Sequence, residues 1–169
     1  MILNSLKKYN IIQYGDFTLS SGKKSNIYID LRKVISYPTL INMICCELFY
    51  KLKKNDTNHI CGTPYGAIPY ASILSVRKDI PMLFLRKEQK EYGNKNLIEG
   101  VYNKNDKVIL LEDVITTGNS VIKAAKTLED NGLKVIQIIS IISRCENKNL
   151  KYNDIPIQYL YHIDEFIDK

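Results

Sequence analysis

The sequence predicts an α/β protein built on a mainly parallel β-sheet with helices on both faces. Short apolar runs, typical of buried strands, alternate along the chain with segments in which apolar residues recur at helical spacing. The clearest case is the unbroken apolar run at residues 108–111, which is followed after a short loop by helical spacing at residues 121–128. With 169 residues, the chain is long enough for one domain with a substantial core.

The composition is that of an ordinary globular protein with a basic surface. Apolar residues make up 45% of the chain, charged residues 25%, and the formal net charge is +6. This charge favours an anionic partner, but the basic residues are spread along the chain, which argues against a nucleic-acid interface. The first ten residues lack the apolar core of a signal peptide, no run approaches a membrane-spanning length, and the four cysteines form no CxxC pair. We therefore expect a cytoplasmic protein that binds neither membranes nor nucleic acid.

The N-terminal third of the chain predicts a helix, a hairpin and a second helix. Apolar residues at helical spacing indicate a short helix over residues 2–12. Residues 17–20 and 27–31 are expected to form two strands around a turn at residues 21–24. Pro38 opens the second helix, which we expect to continue to about residue 54.

The rest of the chain alternates strands with helices and polar loops. We expect a helix at residues 67–76 and strands at residues 60–62, 82–85, 107–111, 133–142 and 155–160. The polar segments 86–100 and 145–154 are predicted to be loops. In such sheets ligands bind beyond the carboxyl ends of the strands. This rule collects residues 63–66, 86–100 and 112–120 and Arg144 in a single crevice.

The segment 108–120, V-I-L-L-E-D-V-I-T-T-G-N-S, is the strongest functional signal. Glu112 and Asp113 directly follow the buried run, and a loop of hydroxyl and small residues follows them: Thr116, Thr117, Gly118, Asn119 and Ser120. A glycine turn leading into a helix binds phosphate, because the first N–H groups of a helix have no internal partner. A helix cap at Asn119 or Ser120 is the alternative, but a cap does not call for two acids. A ligand that fits N–H groups able to bind phosphate next to two carboxylates is a ribose phosphate.

This segment closely resembles the phosphoribosyl pyrophosphate signature of the phosphoribosyltransferases. Residues 86–93, R-K-E-Q-K-E-Y-G, followed by Glu99-Gly100, resemble the mobile basic loop of the orotate phosphoribosyltransferases, although a solvated hairpin is the plainer alternative. In that family the loop completes the active site of the neighbouring subunit. The resemblance therefore implies a homodimer in which the lid loop 86–100 reaches the neighbouring active site.

Two further segments resemble the same family. Residues 17–32 are similar to its N-terminal hood, with Ser20 where the family has a ligand-contacting Lys and Asn26 where it has Pro. Either Lys23 or Lys24 substitutes for that Lys, or the contact is missing. Residues 61–69, C-G-T-P-Y-G-A-I-P, resemble the pyrophosphate loop G-x-x-Y-x-x-I/L-P. Arg144 stands where the family has an Arg that pairs with the orotate carboxylate, but the usual E-G-G or Q-G-G after it is absent.

The resemblance implies the type I phosphoribosyltransferase fold over a single domain, residues 1–169. It comprises a five-stranded, mainly parallel sheet with flanking helices in a core at about residues 36–169 and a small hood mainly at residues 1–35. The implied reaction joins orotate to phosphoribosyl pyrophosphate and gives orotidine 5'-monophosphate and diphosphate, in pyrimidine synthesis. Two alternatives stay open: transfer to another nucleobase, and a non-catalytic, metabolite-sensing regulator that binds RNA or DNA. The chain could be free-standing or part of a bifunctional UMP synthase.

The resemblance also implies the site residues and the cofactor. The expected catalytic residues are Glu112, Asp113, Lys87 and Lys90. The expected substrate-binding residues are Lys23, Tyr28, Ile29, Tyr65, Arg86, Tyr92, Thr116, Thr117, Gly118, Asn119, Ser120 and Arg144. Mg²⁺ is expected to bind mainly through substrate oxygens and water, with no direct protein ligand. His59 and His162 have no partner at catalytic or ligand spacing and receive no role.

Overall fold

The structure, a computed structural model of the chain, describes residues 2–18, 22, 24–53, 56–88 and 97–166. The chain divides into two compact units, Met1–Ile44 and Cys45–Lys169. Among the described residues, no helix is long and apolar enough to cross a membrane. The predicted division into a hood at residues 1–35 and a core at residues 36–169 stays a prediction.

The first unit contains a short α-helix, a β-hairpin, a 3-10 helix at Leu31–Ser36 and the start of the second α-helix. Its helix α1 covers Ile2–Lys8, and its antiparallel strands are β1 (Ile12–Thr18) and β2 (Lys24–Ile29). The predicted helix to residue 12 was too long, because Asn10 adopts a left-handed conformation that ends the helical path. The second predicted strand was also too long at its end, since Asp30 caps a 3-10 helix that starts at Leu31.

The second unit is built on a seven-stranded sheet. Its strands are β3 (His59–Gly62), β4 (Met82–Leu85), β5 (Ile98–Glu99), β6 (Lys107–Ile115), β7 (Lys134–Ser143), β8 (Lys151–Tyr152) and β9 (Ile155–His162). Their order is β5-β4-β3-β6-β7-β9-β8. Strands β4, β3, β6, β7 and β9 pair in parallel, whereas β5 and β8 pair antiparallel at the two edges. The α/β fold class is therefore confirmed, but the predicted count of five strands was wrong.

Both missed strands lie in segments predicted to be loops, 86–100 and 145–154. Each has only two residues, which is too short to show the alternation by which a strand is recognised. The five parallel strands of the sheet are the five strands that the sequence predicted from residue 60 onward. The prediction therefore found the parallel part of the sheet and missed its edges.

The helices of the chain are amphipathic or apolar, as predicted. Helix α2 covers Pro38–Lys51, α3 covers Ile68–Lys78 and α4 covers Asn119–Asp130. Helix α4 buries one face, formed by Val121, Ala124, Ala125 and Leu128. Strands β6 and β7 are buried over most of their length because they lie in the middle of the sheet. Because β3, β4, β6 and β7 are parallel, their carboxyl ends lie on the same side of the sheet, and the loops of the candidate site follow them there.

Candidate active site

Strand β6 carries the two acids within its length rather than beyond its end. The sequence predicted a strand that stops at Leu111, but β6 continues to Ile115, and Glu112 pairs in register with Ser140 of β7. Successive side chains of a strand point to opposite faces of the sheet. Glu112 is buried, with 6% of its surface exposed, whereas Asp113 is half-buried. The two carboxyl groups therefore have different environments.

The Glu112 carboxyl links the loop after β3 to the start of α4. The Thr63 hydroxyl donates a hydrogen bond to Glu112 Oε1 at 2.6 Å, and the backbone N–H of Asp113 donates to the same oxygen at 3.1 Å. The Ser120 hydroxyl donates to Oε2 at 3.3 Å. Burial, together with the neighbouring Asp113 carboxyl, raises the pKa of Glu112 to about 8. Glu112 therefore keeps its proton to a higher pH than an exposed glutamate does.

The Asp113 carboxylate lies against Gly66 of the loop after β3. Its Oδ1 accepts a hydrogen bond from the Val114 backbone at 2.9 Å. Its Oδ2 lies only 1.8 Å from the position that a Cβ atom at residue 66 would occupy. Glycine is therefore required there if Asp113 is to keep this orientation. The loop itself contains a cis peptide bond between Pro64 and Tyr65.

The predicted phosphate loop leads directly into α4. Gly118 is the residue before the helix, its φ is +85°, and it contributes no side-chain hydrogen bond to the helix start. Asn119 and Ser120 are thus the first helical residues rather than the cap, so the capping alternative was wrong. Thr117 and Asn119 are exposed, and the Asn119 N–H points to the Thr117 hydroxyl at 3.4 Å. A helix start with exposed hydroxyl and amide side chains is a type of site that can bind an anion.

The described part of the predicted lid is anchored as a hairpin. Strands β4 and β5 pair antiparallel, and the Arg86 N–H donates to the Leu97 carbonyl at 2.8 Å. The Arg86 guanidinium also forms a 2.9 Å ion pair with Glu99. Lys87 lies with its amine 4.8 Å from the centre of the exposed Tyr65 ring, which brings the lid and the pyrophosphate loop together. Lys90 and Tyr92 lie outside the described residues.

A cavity of about 280 Å³ lies beside Glu112. Among its lining residues are Thr63, Arg86, Lys87, Ser120 and Lys123. Three cations beside one buried carboxyl suit a ligand with several negative charges. The sequence reasoning missed Lys123, although its position three residues after Ser120 places both on one face of α4.

Arg144 follows β7 and its backbone N–H donates to the carbonyl of Ile115, the last residue of β6, at 2.7 Å. The predicted proximity of Arg144 to the end of β6 is therefore confirmed for the backbone. The side chain is half-buried, and burial lowers the pKa of its guanidinium from the usual value. An arginine that loses part of its hydration gains more from a paired carboxylate than a fully solvated one does.

Both histidines have partners that the sequence spacing did not show. His162 Nε2 lies 3.0 Å from the Cys145 carbonyl, and so attaches the segment after Arg144 to the end of β9. His59, the first residue of β3, lies with Nε2 2.9 Å from Asp106 Oδ2. His59 lies at the start of β3, whereas the two acids lie toward the carboxyl end of the neighbouring strand β6. His59 therefore has no part in the candidate site.

Two predicted site residues of the first unit, Tyr28 and Ile29, lie in β2. Tyr28 is half-buried and its hydroxyl accepts a hydrogen bond from Arg32 at 3.3 Å, while Ile29 is buried. The Lys24 amine donates to the Thr18 hydroxyl at 3.1 Å. Lys23 and Ser20 lie outside the described residues.

The parallel sheet, the two acids of β6 and the glycine turn into α4 define a phosphoribosyltransferase. In agreement, residues 39–158 match the family described as the phosphoribosyl transferase domain. Orotate phosphoribosyltransferase from Methanosphaera stadtmanae is 37% identical over 98% of this chain and 94% of its own length. The chain belongs to the orotate phosphoribosyltransferases.

Two other relatives extend this result. Uridine 5'-monophosphate synthase from Bos taurus is 39% identical over 85% of this chain, but the match spans 30% of the bovine protein. The crystal structure of orotate phosphoribosyltransferase from Aeropyrum pernix superposes with a TM-score of 0.84 at 27% identity, over 98% of this chain and 96% of that one. The family predicted from the sequence motifs is thus confirmed, and the chain is an enzyme of the phosphoribosyltransferase class.

Proposed function

We propose that the chain transfers the phosphoribosyl group of phosphoribosyl pyrophosphate to orotate, giving orotidine 5'-monophosphate and diphosphate. The observation that carries this proposal is the Glu112–Asp113 pair near the end of β6, in which Glu112 lines a cavity with three basic side chains. The relatives over nearly the whole chain are named as orotate phosphoribosyltransferases, which supports orotate as the acceptor.

The two carboxyl groups have separate tasks in this proposal. Breaking the bond at the ribose C1 leaves positive charge on the sugar and negative charge on the departing diphosphate, so fixed charges can stabilise the transition state. Asp113, the more accessible acid, binds the ribose hydroxyls. Glu112 acts electrostatically from its buried position, where a carboxylate has more effect on a nearby cation than it would have in water.

The 5'-phosphate is assigned to the start of α4. The hydroxyls of Thr116, Thr117 and Ser120, the side chain of Asn119 and the N–H groups around Gly118 would surround it. A phosphate at this position also gains from the partial positive charge of the helix N-terminus. Binding at both the phosphate and the ribose holds C1 in place for attack, which is a large part of catalysis in such a site.

The diphosphate is assigned to the basic side chains of the lid, next to the pyrophosphate loop. Arg86, Lys87 and Lys90 would neutralise it as the lid closes and excludes water. Tyr65 already lies beneath the Lys87 amine, and so would hold that cation near the loop after β3. The Arg86–Glu99 ion pair and the pairing of β4 with β5 fix the base of the lid.

Mg²⁺ is the expected cofactor, and it would enter with the diphosphate. The described residues contain no group of three His, Cys, Asp or Glu side chains arranged for a metal. The site nevertheless offers the oxygen-rich surroundings that a hard, partly hydrated cation prefers, with hydroxyls of Thr63 and Ser120 at the cavity. When bound through substrate oxygens and water, the ion would neutralise charge on the leaving group. We assign no protein side chain as its ligand.

Orotate is assigned to Arg144. The Arg144 guanidinium would pair with the orotate carboxylate through two parallel hydrogen bonds. The substrate contacts that the sequence resemblance implies for Tyr28, Ile29 and Lys23 stay a prediction. Tyr92 would donate a hydrogen bond from the lid. We assign it no role in proton transfer, because a phenol ordinarily titrates well above neutral pH.

We further propose a cytoplasmic homodimer in which the lid of each subunit reaches the active site of the other. The four cysteines are free thiols, and three of them are buried, which suits a reducing compartment. A mixing experiment tests the shared site. A subunit with Lys90→Ala and a subunit with Asp113→Asn should each be inactive alone, and their mixed dimer should recover activity at one of its two sites. No recovery would exclude a lid that crosses between subunits.

The decisive test of the reaction is the loss of orotate absorbance when phosphoribosyl pyrophosphate and Mg²⁺ are added to the purified protein. Asp113→Asn serves as the inactive control. Adenine, hypoxanthine and uracil, offered in place of orotate, should give no product. Turnover with one of these bases and not with orotate would assign a different acceptor. Salt-dependent binding of RNA or DNA, with no turnover of any base, would favour a regulator.

A further inference from the structure

Thr63 is the closest hydrogen-bond partner of the buried acid Glu112. We infer that Thr63 is a positioning residue of the reaction: its hydroxyl orients the Glu112 carboxyl and keeps it ionised enough to act on the ribose cation. This inference rests on the proposed function, since it assigns Glu112 an effect on the substrate. In the loop pattern G-x-x-Y-x-x-I/L-P, residue 63 occupies an unspecified position, so the family resemblance gives it no task.

The backbone fixes the Thr63 hydroxyl in place. The Thr63 N–H donates to the Leu111 carbonyl at 3.0 Å, which continues the pairing of β3 with β6 one residue beyond the strand. Thr63 is 4% exposed and Glu112 is 6% exposed, so water does not replace this hydrogen bond easily. The 2.6 Å distance between Thr63 Oγ1 and Glu112 Oε1 is the short distance expected for a hydroxyl that donates to a carboxylate.

The other donors to Glu112 are weaker or less specific. The Ser120 hydroxyl is 3.3 Å away and its residue is exposed, so solvent and a bound phosphate compete for it. The Asp113 N–H, at 3.1 Å, cannot be changed by a side-chain substitution. Thr63 therefore supplies the side-chain hydrogen bond that most favours the ionised carboxyl.

Several charged groups face Glu112 and set the conditions under which it ionises. Asp113, its neighbour on β6, opposes ionisation, and burial opposes it more strongly. Lys123 of α4 and Arg86 and Lys87 after β4 line the same cavity, where Arg86 is paired with Glu99. The Thr63 hydrogen bond lowers the pKa of Glu112 within a balance that leaves it at about 8. Loss of the hydroxyl should therefore protonate Glu112 further at neutral pH.

Thr63→Val tests the inference, and Thr63→Ser is its matched control. Valine keeps the β-branched shape and removes the hydroxyl, whereas serine keeps the hydroxyl. In Thr63→Val, kcat/KM should fall about tenfold near pH 7 and approach the wild-type value near pH 9.5, because the ascending limb of the profile moves up by about one pH unit. Thr63→Ser should keep the wild-type midpoint. A loss that is equal at every pH, or equal in both variants, would overturn the inference.

A readout without substrate separates this inference from the proposed reaction. The carboxyl carbon of Glu112 can be followed by ¹³C NMR against pH, with Glu112→Gln to identify its signal. The midpoint of the Glu112 titration should rise in Thr63→Val and stay unchanged in Thr63→Ser; an unmoved midpoint in Thr63→Val refutes the inference even in an active enzyme. If the midpoint moves but the wild type converts no orotate, the proposed function fails while the control of Glu112 by Thr63 holds.

Discussion

Replacing Glu112 by Gln should make the protein more stable than the wild type at alkaline pH, although the variant loses activity. Gln keeps the shape of Glu, and its carbonyl oxygen can still accept the hydrogen bonds that Thr63 and the Asp113 N–H donate to Oε1. The substitution removes only the charge that burial disfavours. Stability and function should therefore change in opposite directions at this one position.

The magnitude follows from the pKa of Glu112 in its folded surroundings. That pKa is about 8, raised from 4.5 chiefly by burial. Between these two pH values the folded protein holds a proton that the unfolded chain has released. The wild-type free energy of unfolding therefore contains a contribution that is present at low pH and is lost as the pH rises toward 8. Between about pH 5.5 and about pH 9 the loss is on the order of 3 kcal/mol.

Chemical denaturation at these two pH values measures the effect. The chain contains no Trp, so circular dichroism of the helices is the suitable signal. The difference in unfolding free energy between Glu112→Gln and the wild type should grow by on the order of 3 kcal/mol from the acidic to the alkaline condition.

The exposed Glu88 supplies the matched control. Glu88→Gln should differ from the wild type by less than about 0.5 kcal/mol at both pH values. If the unfolding free energies of Glu112→Gln and the wild type show the same pH dependence, then ionising Glu112 does not destabilise the folded protein. The reasoning from its burial would then be wrong.

Four further substitutions or treatments test the rest of the site. Gly66→Ala should lower kcat/KM by roughly tenfold or more with a small change in melting temperature, because its Cβ would displace the Asp113 carboxylate; normal kinetics would show that the orientation of Asp113 is unimportant. Asp113→Asn should reduce kcat far more than it weakens the binding of ribose 5-phosphate. An equal loss of both would contradict the assignment of the ribose hydroxyls to Asp113 and of the phosphate to the start of α4. Lys90→Ala should depress turnover with an unchanged melting temperature, and unchanged turnover would remove the lid hypothesis. Chelation of Mg²⁺ should abolish turnover without unfolding the protein, as followed by circular dichroism, whereas full activity in chelator would exclude the cofactor.

The sequence predicted the parallel sheet because those strands and helices carry strong periodic signals. Four buried aliphatic residues before Glu112 mark the central strand, and the face of α4 formed by four apolar residues is visible at helical spacing. The two-residue strands β5 and β8 carry no such signal. Their pairing depends on the neighbouring strands β4 and β9, so only the folded chain reveals it.

The sequence indicated which residues belong to the candidate site, but not which of them contact one another. A motif states that Glu112 and Asp113 are adjacent, but only the folded chain shows that the Glu112 carboxyl accepts hydrogen bonds from Thr63 and Ser120 whereas the Asp113 carboxylate lies against Gly66. The hydrogen bond from Thr63 to Glu112 joins residues 49 positions apart, so no local spacing announces it. Lys123 could have been found, because the helix period places it next to Ser120.

Glu112 is a destabilising group near the carboxyl end of the central strand β6. A buried carboxyl with a pKa near 8 opposes folding at neutral pH, yet the same side chain joins the loop after β3 to the first turn of α4 through Thr63 and Ser120. A glutamine could make those contacts without the electrostatic cost. What glutamine cannot provide is the negative charge that the proposed reaction requires of Glu112 when the sugar becomes cationic. The carboxyl is therefore better explained by the transition state than by the fold.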